Sequence, residues 1–366
     1  MRTSFAKTLR PYDEARLIQS IGQEITLNSL LRLVRISVNK RYALGKIVTS
    51  NNVSKPNQNK RAHHYVWQHY LKAWEIEKTF SCLMDNKIFL TNTKNIAQER
   101  DFYKLEELNK SEIEFIKIIF IKGTTGLKRS LAEGWINAMQ QIFPLRAQLL
   151  QEGKVDEEIA EFIRTYLFNT EEDLHCNIET DAIQHLENLR NSDANLLLDI
   201  DKKIEFCHFL VYQYFRTSRL QNRFVESFSR DPKPPNNINL PNCWKIARHI
   251  IVDRVTSTLI NEPFANIVFL NNSTGTYFIS GDQPVINTFA IGKGLYEEIP
   301  HTEFYYPLSP TLAMLFTVDK AQSDLKSKEL TLSDVQYYNH AIEDQSHKQL
   351  YAATENCLTQ YVSVRK

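Results

Sequence analysis

The chain has 366 residues, 44 Lys plus Arg against 43 Asp plus Glu, and a hydrophobic share of 42%. This length allows one large domain with an appendage, or two domains. A net charge of +1 excludes a globally basic nucleic-acid binder and leaves any polyanion contact to a local patch. The ten glycines leave little material for tight β-turns or for a phosphate-cradling loop, and neither G-x-G-x-x-G nor G-x-x-x-x-G-K-[ST] occurs.

Residues 1–48 read as helical, through Leu17, Ile21, Ile25, Leu30, Leu31, Val34 and Ile36. Thr26-Leu27-Asn28-Ser29 breaks the run, and the second helix carries Arg32, Arg35, Lys40 and Arg41. Such a basic helix suits nucleic acid, a protein partner or a membrane surface; a solvated face on a packing helix is the simpler account. No apolar stretch follows the basic N-terminus, which points away from a secretory signal and toward the cytoplasm, with a transit peptide as the alternative. The five cysteines form no C-x-x-C pair, as in a reducing compartment. No apolar run approaches the roughly 18 residues of a spanning helix, so no membrane partner is expected.

Residues 49–62 are polar and read as a linker, so 63–366 is expected to be a single domain. His64 to Trp74 predicts a short helix with Trp67, Tyr70, Leu71 and Trp74 on one side. Residues 79–84 and 87–91 predict strands joined at Asp85-Asn86. From Asn109 onward the pattern is mainly helical. The apolar run 113–121 is core, as helix or strand, and 127–151, 155–168, 180–194 and 201–228 carry helical periodicity. After a proline-rich loop at 231–237, a helix is expected over about 242–261. Strands follow at 265–270, 276–280, 303–306 and 312–317, with 271–275 as a hairpin loop, and a last helix spans about 332–350. The fold class is α+β, predominantly helical, with a small mainly antiparallel sheet from strands near 79–91 and 265–317.

Four polar constellations stand out. His64 and Gln68, four apart, share a helix face; a His is a general acid or base near neutral pH and a Gln can orient it, while a surface His beside a solvated Gln is the plain alternative. Gln213 and Arg216 share a face with apolar neighbours, so Arg216 must be paired if buried: with a phosphate or carboxylate ligand, or with a structural carboxylate. Asp282, after Ser280-Gly281 and before Pro284, sits at a strand end as a catalytic carboxylate or as a cap of its own loop. Glu112 and Glu114, with the stretch Asn95–Tyr103, could ligate a metal but more simply begin a helix. Cys207-His208 and His175-Cys176 lack metal-site spacing, and no metal ligand is assigned.

These residues resemble one family. His64-Tyr65-Val66-x-Gln68-x-Tyr70-Leu71, Asn95-Ile96-Ala97 through Asp101-Phe102-Tyr103, Gln213-x-x-Arg216-Thr217, Ser280-x-Asp282-x-Pro284-Val285 and Pro307-Leu308-Ser309-Pro310 are similar in order and spacing to DUF4238. That family's pattern opens H-Y-V-P-Q-x-Y-L and carries S-D-N-P-V late in the chain. The resemblance covers residues 63 to about 355 and includes Asn339 and a later Tyr, Tyr351. Trp67 stands where the family has Pro, and Gly281 where it has Ser. The family carries no settled activity or cofactor. It implies that the scattered motifs are one recurring set, most economically one pocket, and suggests a bacterial, phage-defence setting.

The expectation that follows is a hydrolase or nuclease-type effector acting on nucleic acid or a nucleotide. His64 is its general acid/base, Asp282 orients His64 or holds a metal, and Arg216 binds phosphate or developing negative charge. Gln68, Gln213, Arg219 and Asn339 contact substrate. The alternative is a non-catalytic ligand-binding or sensor module with an anion or nucleotide pocket. A third reading makes the motifs core hydrogen-bond networks. A protein partner for residues 1–48, the cofactor and the oligomeric state stay open.

Overall fold

A computed structural model describes residues 60–229, 237–294 and 297–362. The helical appendage read over residues 1–48 and nearly all of the linker at 49–62 lie outside them. The described chain is α+β and predominantly helical.

The central element is the helix Leu240–Asn261, and the chain reaches it through helices that each bury one face. Strand β1 (Ala62–His64) pairs antiparallel with β4 (Gln98–Arg100). Between them lie α1 (Gln68–Leu71), a 3-10 turn at Lys72–Trp74, and the hairpin β2 (Phe80–Met84) and β3 (Lys87–Thr91). The hairpin turns at Asp85 and Asn86 as expected; their φ values of 50° and 59° are those of a two-residue turn that follows strand twist. Trp67, Tyr70, Leu71 and Trp74 are all buried, so the apolar side of that stretch is core, although His64 itself ends a strand. The stretch 113–121 is helical, as α2 (Lys110–Ile116) and a π-turn (Lys117–Ile121). Next come α3 (Gly126–Gln140) and α4 (Ile142–Gln151).

The two helices expected at 155–168 and 180–194 are one, α5 (Glu157–Arg190, 34 residues). The stretch between them looked like a polar break because Asn169, Glu171 and His175 interrupt the apolar period. All three are buried, so they continue the inward face rather than end the helix. The reverse holds for 201–228, which is two helices, α6 (Ile200–Phe215) and α7 (Ser218–Ser229). The corner is Arg216-Thr217, and both side chains are tied to other elements. Helix α8 (Leu240–Asn261) then runs through the centre. Asn239 caps it by accepting from the Asn242 N–H at 3.2 Å. Residues on every side of α8 are buried, among them Trp244, Arg248, Val252 and Ile260. It packs on α6, α3, α7 and α2.

The later strands are β5 (Asn266–Asn271), β6 (Ser280–Gly281), β7 (Ile286–Asn287), β8 (Phe304–Ser309), β9 (Leu312–Thr317), β10 (Ser327–Glu329) and β11 (Leu350–Ala352). Among the described residues the strands make three small sheets rather than one: β1–β4, a four-stranded sheet of order β3-β2-β11-β6, and a five-stranded sheet of order β10-β5-β9-β8-β7. All pairings are antiparallel except β10 with β5. Residues 271–275 do not close a hairpin: β5 pairs with β9, and 276–279 runs outside any strand. Asn339 holds that segment, donating to the Tyr277 carbonyl at 2.9 Å and accepting from the Ile279 N–H at 3.0 Å. Asn339 lies on α9 (Leu332–Gln345), which ends five residues earlier than expected because Ser346–Gln349 is captured by Asp282.

Candidate functional site

Helix α6 ends on a fully buried arginine, and the site is built around it. Arg216 donates from Nε to the Tyr103 hydroxyl at 3.0 Å, from Nη1 to the Glu179 carboxylate and from Nη2 to the His64 carbonyl. One guanidinium therefore joins β1, the Asn95–Tyr103 segment, α5 and α6. Burial pulls against its charge, but Glu179 and Tyr103 beside it hold Arg216 protonated, above the ordinary arginine value.

The first strand is fixed by the neighbouring histidine. His63 Nδ1 lies 2.8 Å from the Tyr103 N–H and must accept, so Nε2 carries the proton and donates to the Lys60 carbonyl at 2.7 Å. His63 is thus a neutral strut. His64 is half-buried, and its ring nitrogens lie 3.2 and 3.3 Å from Gln68 Nε2. Burial, then the charge of Arg216, lowers the His64 pKa and leaves the ring neutral at pH 7.

Helix α5 supplies the acidic wall, which the sequence analysis did not single out. Its residues 171, 172, 175 and 179 recur at helical spacing on the inward side. Glu172 is pushed up to about 7, first by burial and further by Glu179, while Arg216 pulls it down. Its Oε2 is buried without a hydrogen-bond partner. Because the folded pKa exceeds the ordinary 4.5, Glu172 costs nothing at low pH and destabilises the fold as pH rises through about 7. Stability measured by urea titration should fall between pH 5 and 8, and Glu172→Gln should flatten that dependence; an unchanged profile would place the carboxyl in water.

Deeper still, Glu171 forms an ion pair with Arg248, and its Oε1 lies 3.4 Å from His249 Nε2 and 3.5 Å from His175 Nε2. Both charged partners are essentially inaccessible, and burial drops the Arg248 pKa to about 10. The network extends from His249 Nδ1 to the Tyr212 hydroxyl at 2.7 Å, and His249 stacks on Trp135 with 4.4 Å between ring centroids. Arg248 also lies over the Tyr103 ring, 4.9 Å from its centroid, so this network and the Arg216 cluster share Tyr103. A signal existed in the sequence: Glu, Glu, His and Glu at helical spacing in 171–179. It was masked because polar residues inside a helix read as a break.

The late motif meets the same region from the other side. The Thr217 hydroxyl donates to the Gln283 side chain, whose Nε2 donates to the carbonyls of Tyr214 at 3.0 Å and Val285 at 2.7 Å. Asp282 points elsewhere. Its carboxylate accepts the N–H groups of His347 and Lys348 at 2.6 Å and of Gln349 at 3.1 Å. Three backbone donors make it the organiser of the Ser346–Gln349 loop. The departure Gly281 follows from that loop: a Cβ there would lie 2.0 Å from Ser346 Oγ and 3.1 Å from the Gln349 carbonyl. Ser346 Oγ fills the place that a Cβ at Gly281 would take, while Ser280 Oγ bonds the Tyr70 hydroxyl at 2.7 Å. Gly281→Ala should cost about 1–3 kcal/mol in chemical denaturation, because the loop must move to admit a methyl group.

The structure therefore brings His64, Gln68, Arg216 and Gln213 into one neighbourhood with Tyr103, Glu172 and Glu179. Gln213 is buried beside Glu179, and its side-chain amide acts on the Glu179 carboxylate as a hydrogen-bond donor. Arg219 lies one turn on, at the start of α7, with a buried, unpartnered Nε. Asp282 is reached through Gln283 rather than by its own carboxylate, and Asn339 holds residues 277–279. Glu112 caps α2, accepting from the Asn109 N–H at 2.7 Å and the Asn239 N–H at 2.8 Å, and Glu114 is exposed. Among the described residues, no group of three or more His, Cys, Asp or Glu side chains has metal-binding geometry.

The architecture is that of a helix-rich α+β protein with ion pairs inside its helical layer. Residues 62–236 match the model of DUF4238, a family of proteins of unknown function and the family that the motifs resemble. The match includes the His64–Gln68 and Gln213–Arg216 motifs and ends before Asp282 and Asn339. No curated protein and no solved structure matches the chain. No helix among the described residues is long and apolar enough to cross a membrane.

Proposed function

We propose that the protein is a hydrolase or nuclease-type effector acting on nucleic acid or a nucleotide, with His64 and Glu172 as its acid–base pair. The observation that carries this reading is the Arg216 centre. It pins the His64 carbonyl and lies close enough to Glu172 to act on its charge. The two groups are tuned in complementary directions: a neutral imidazole at pH 7, and a carboxyl titrating at about 7. His64, oriented by Gln68, takes the proton of the attacking water. Glu172, when protonated, supplies a proton to the leaving oxygen. Arg216 and Glu179 act as a positioning frame, since both are committed to each other and to the backbone.

His64→Ala and Glu172→Gln should each reduce turnover of a single-stranded oligonucleotide by about 10²–10⁴-fold, with folding retained. Thermal denaturation beside the activity assay checks both. Full activity in both variants sinks the acid–base reading.

One observation favours a second reading, a non-catalytic sensor or binding module. Arg216 and Asp282 are saturated by protein partners, so two of the motif's charged residues serve the framework. That reading predicts a thermal shift with nucleotides or oligonucleotides and no turnover by the unaltered protein.

A further inference from the structure

We propose that Arg219, Arg223 and Lys348 form a phosphate-backbone subsite, so that the substrate is a nucleic-acid strand rather than a mononucleotide. This rests on the hydrolase or nuclease reading and names its substrate class.

Arg219 and Arg223 are four residues apart on α7, hence on one face and about 6 Å apart along the axis. Asn222 is on the same side, and its Nδ2 lies 3.2 Å from His347 Nε2. That contact brings the Ser346–Gln349 loop against this face. Asp282 holds the loop by its backbone, and Lys348, next to His347 in the chain, is exposed. Arg219, Arg223 and Lys348 thus lie on two segments, distant in sequence, that the Asn222–His347 contact joins.

Among the described residues none of the three makes an ion pair, whereas Arg216, three residues before Arg219, is fully paired. Arg219 Nε is buried and has no acceptor. Glu226 lies one turn past Arg223 on α7, and Asp344 precedes the loop in the chain; both are exposed. Cations spaced along a helix match successive phosphates of a strand. A mononucleotide needs convergent donors around one phosphate group, and the chain has no glycine-rich loop to provide them. Arg219 lies three residues after Arg216, at the start of α7.

The test is fluorescence anisotropy with a labelled oligothymidylate of about 20 nucleotides, longer than one such site covers, at several salt concentrations. Three phosphate contacts give a slope of log K against log[salt] near −2, at about 0.7 per contact for a single strand. Arg223→Gln and Lys348→Gln, which change exposed or half-exposed side chains, should each reduce the slope by about 0.7 and weaken binding severalfold. The triple variant with Arg219→Gln should lose the salt dependence. ATP should compete only weakly. The proposal is overturned if the unaltered protein does not bind the oligonucleotide, if the triple variant keeps the full slope, or if ATP competes as well as unlabelled oligonucleotide. His64→Ala and Glu172→Gln separate this from the acid–base reading, since they should bind with the unaltered slope. Loss of turnover in them with an unchanged slope in the triple variant removes the subsite alone. Full turnover in them with a reduced slope in the triple variant removes the acid–base pair alone.

Discussion

Replacing Glu171 by Leu, or Arg248 by Met, is expected to lower the free energy of unfolding by about 3–5 kcal/mol. Each change strands the other member of an ion pair whose side chains are 0% and 1% exposed. A lone carboxylate there has two histidines nearby, but burial keeps His175 well below the ordinary imidazole value, so it does not charge to compensate. A lone Arg248 keeps only the face of Tyr103. The double replacement Glu171→Leu with Arg248→Met should recover most of the loss, because well-packed apolar side chains substitute for a buried ion pair at little net cost. Urea titrations of the two single variants and the double variant measure this directly, and equal, additive losses would show that the residues do not interact.

Asp282→Ala is expected to cost about 2–3 kcal/mol and to loosen one loop selectively. The carboxylate accepts three consecutive backbone N–H groups, from His347 to Gln349. His347 and Lys348 are exposed, so their amides can turn to water, which limits the loss. Amide hydrogen exchange should speed up at residues 347–349 and remain slow in α8. The same variant should reduce the salt dependence of oligonucleotide binding, since Lys348 loses its anchor, without the large loss of turnover expected of His64→Ala. A turnover loss as deep as that of His64→Ala would instead make Asp282 part of the reaction chemistry.

The legible parts of the fold are those whose signal is local. Asp85-Asn86 between two alternating runs specifies a hairpin because few residue pairs accept two positive φ angles. Helix α8 and strands β5 and β9 follow from unbroken apolar periods. The misread places are those where polar residues face inward. Asn169, Glu171 and His175 looked like a break in α5, and Arg216-Thr217 looked like the middle of a helix. In both cases partners far away in sequence decide the outcome: Arg248 and Tyr103 for the first, His64, Glu179 and Gln283 for the second. Glu172 and Glu179 were passed over for the same reason, since a carboxylate on a long polar helix reads as solvated until its burial is known.

By itself the sequence determined the α+β class, the hairpin and most helices, and its resemblance to one family marked His64, Gln68, Gln213, Arg216 and Asp282 as candidates. Only the tertiary structure decided what each of them touches. It committed Arg216 to Glu179, Tyr103 and the His64 carbonyl, gave the Asp282 carboxylate to a loop, and raised Glu172 to about 7. The physical reason is that periodicity reports which face of an element is apolar. The charge state and partners of a buried polar group depend on burial and on neighbours far away in the chain, and both exist only once the helices have packed.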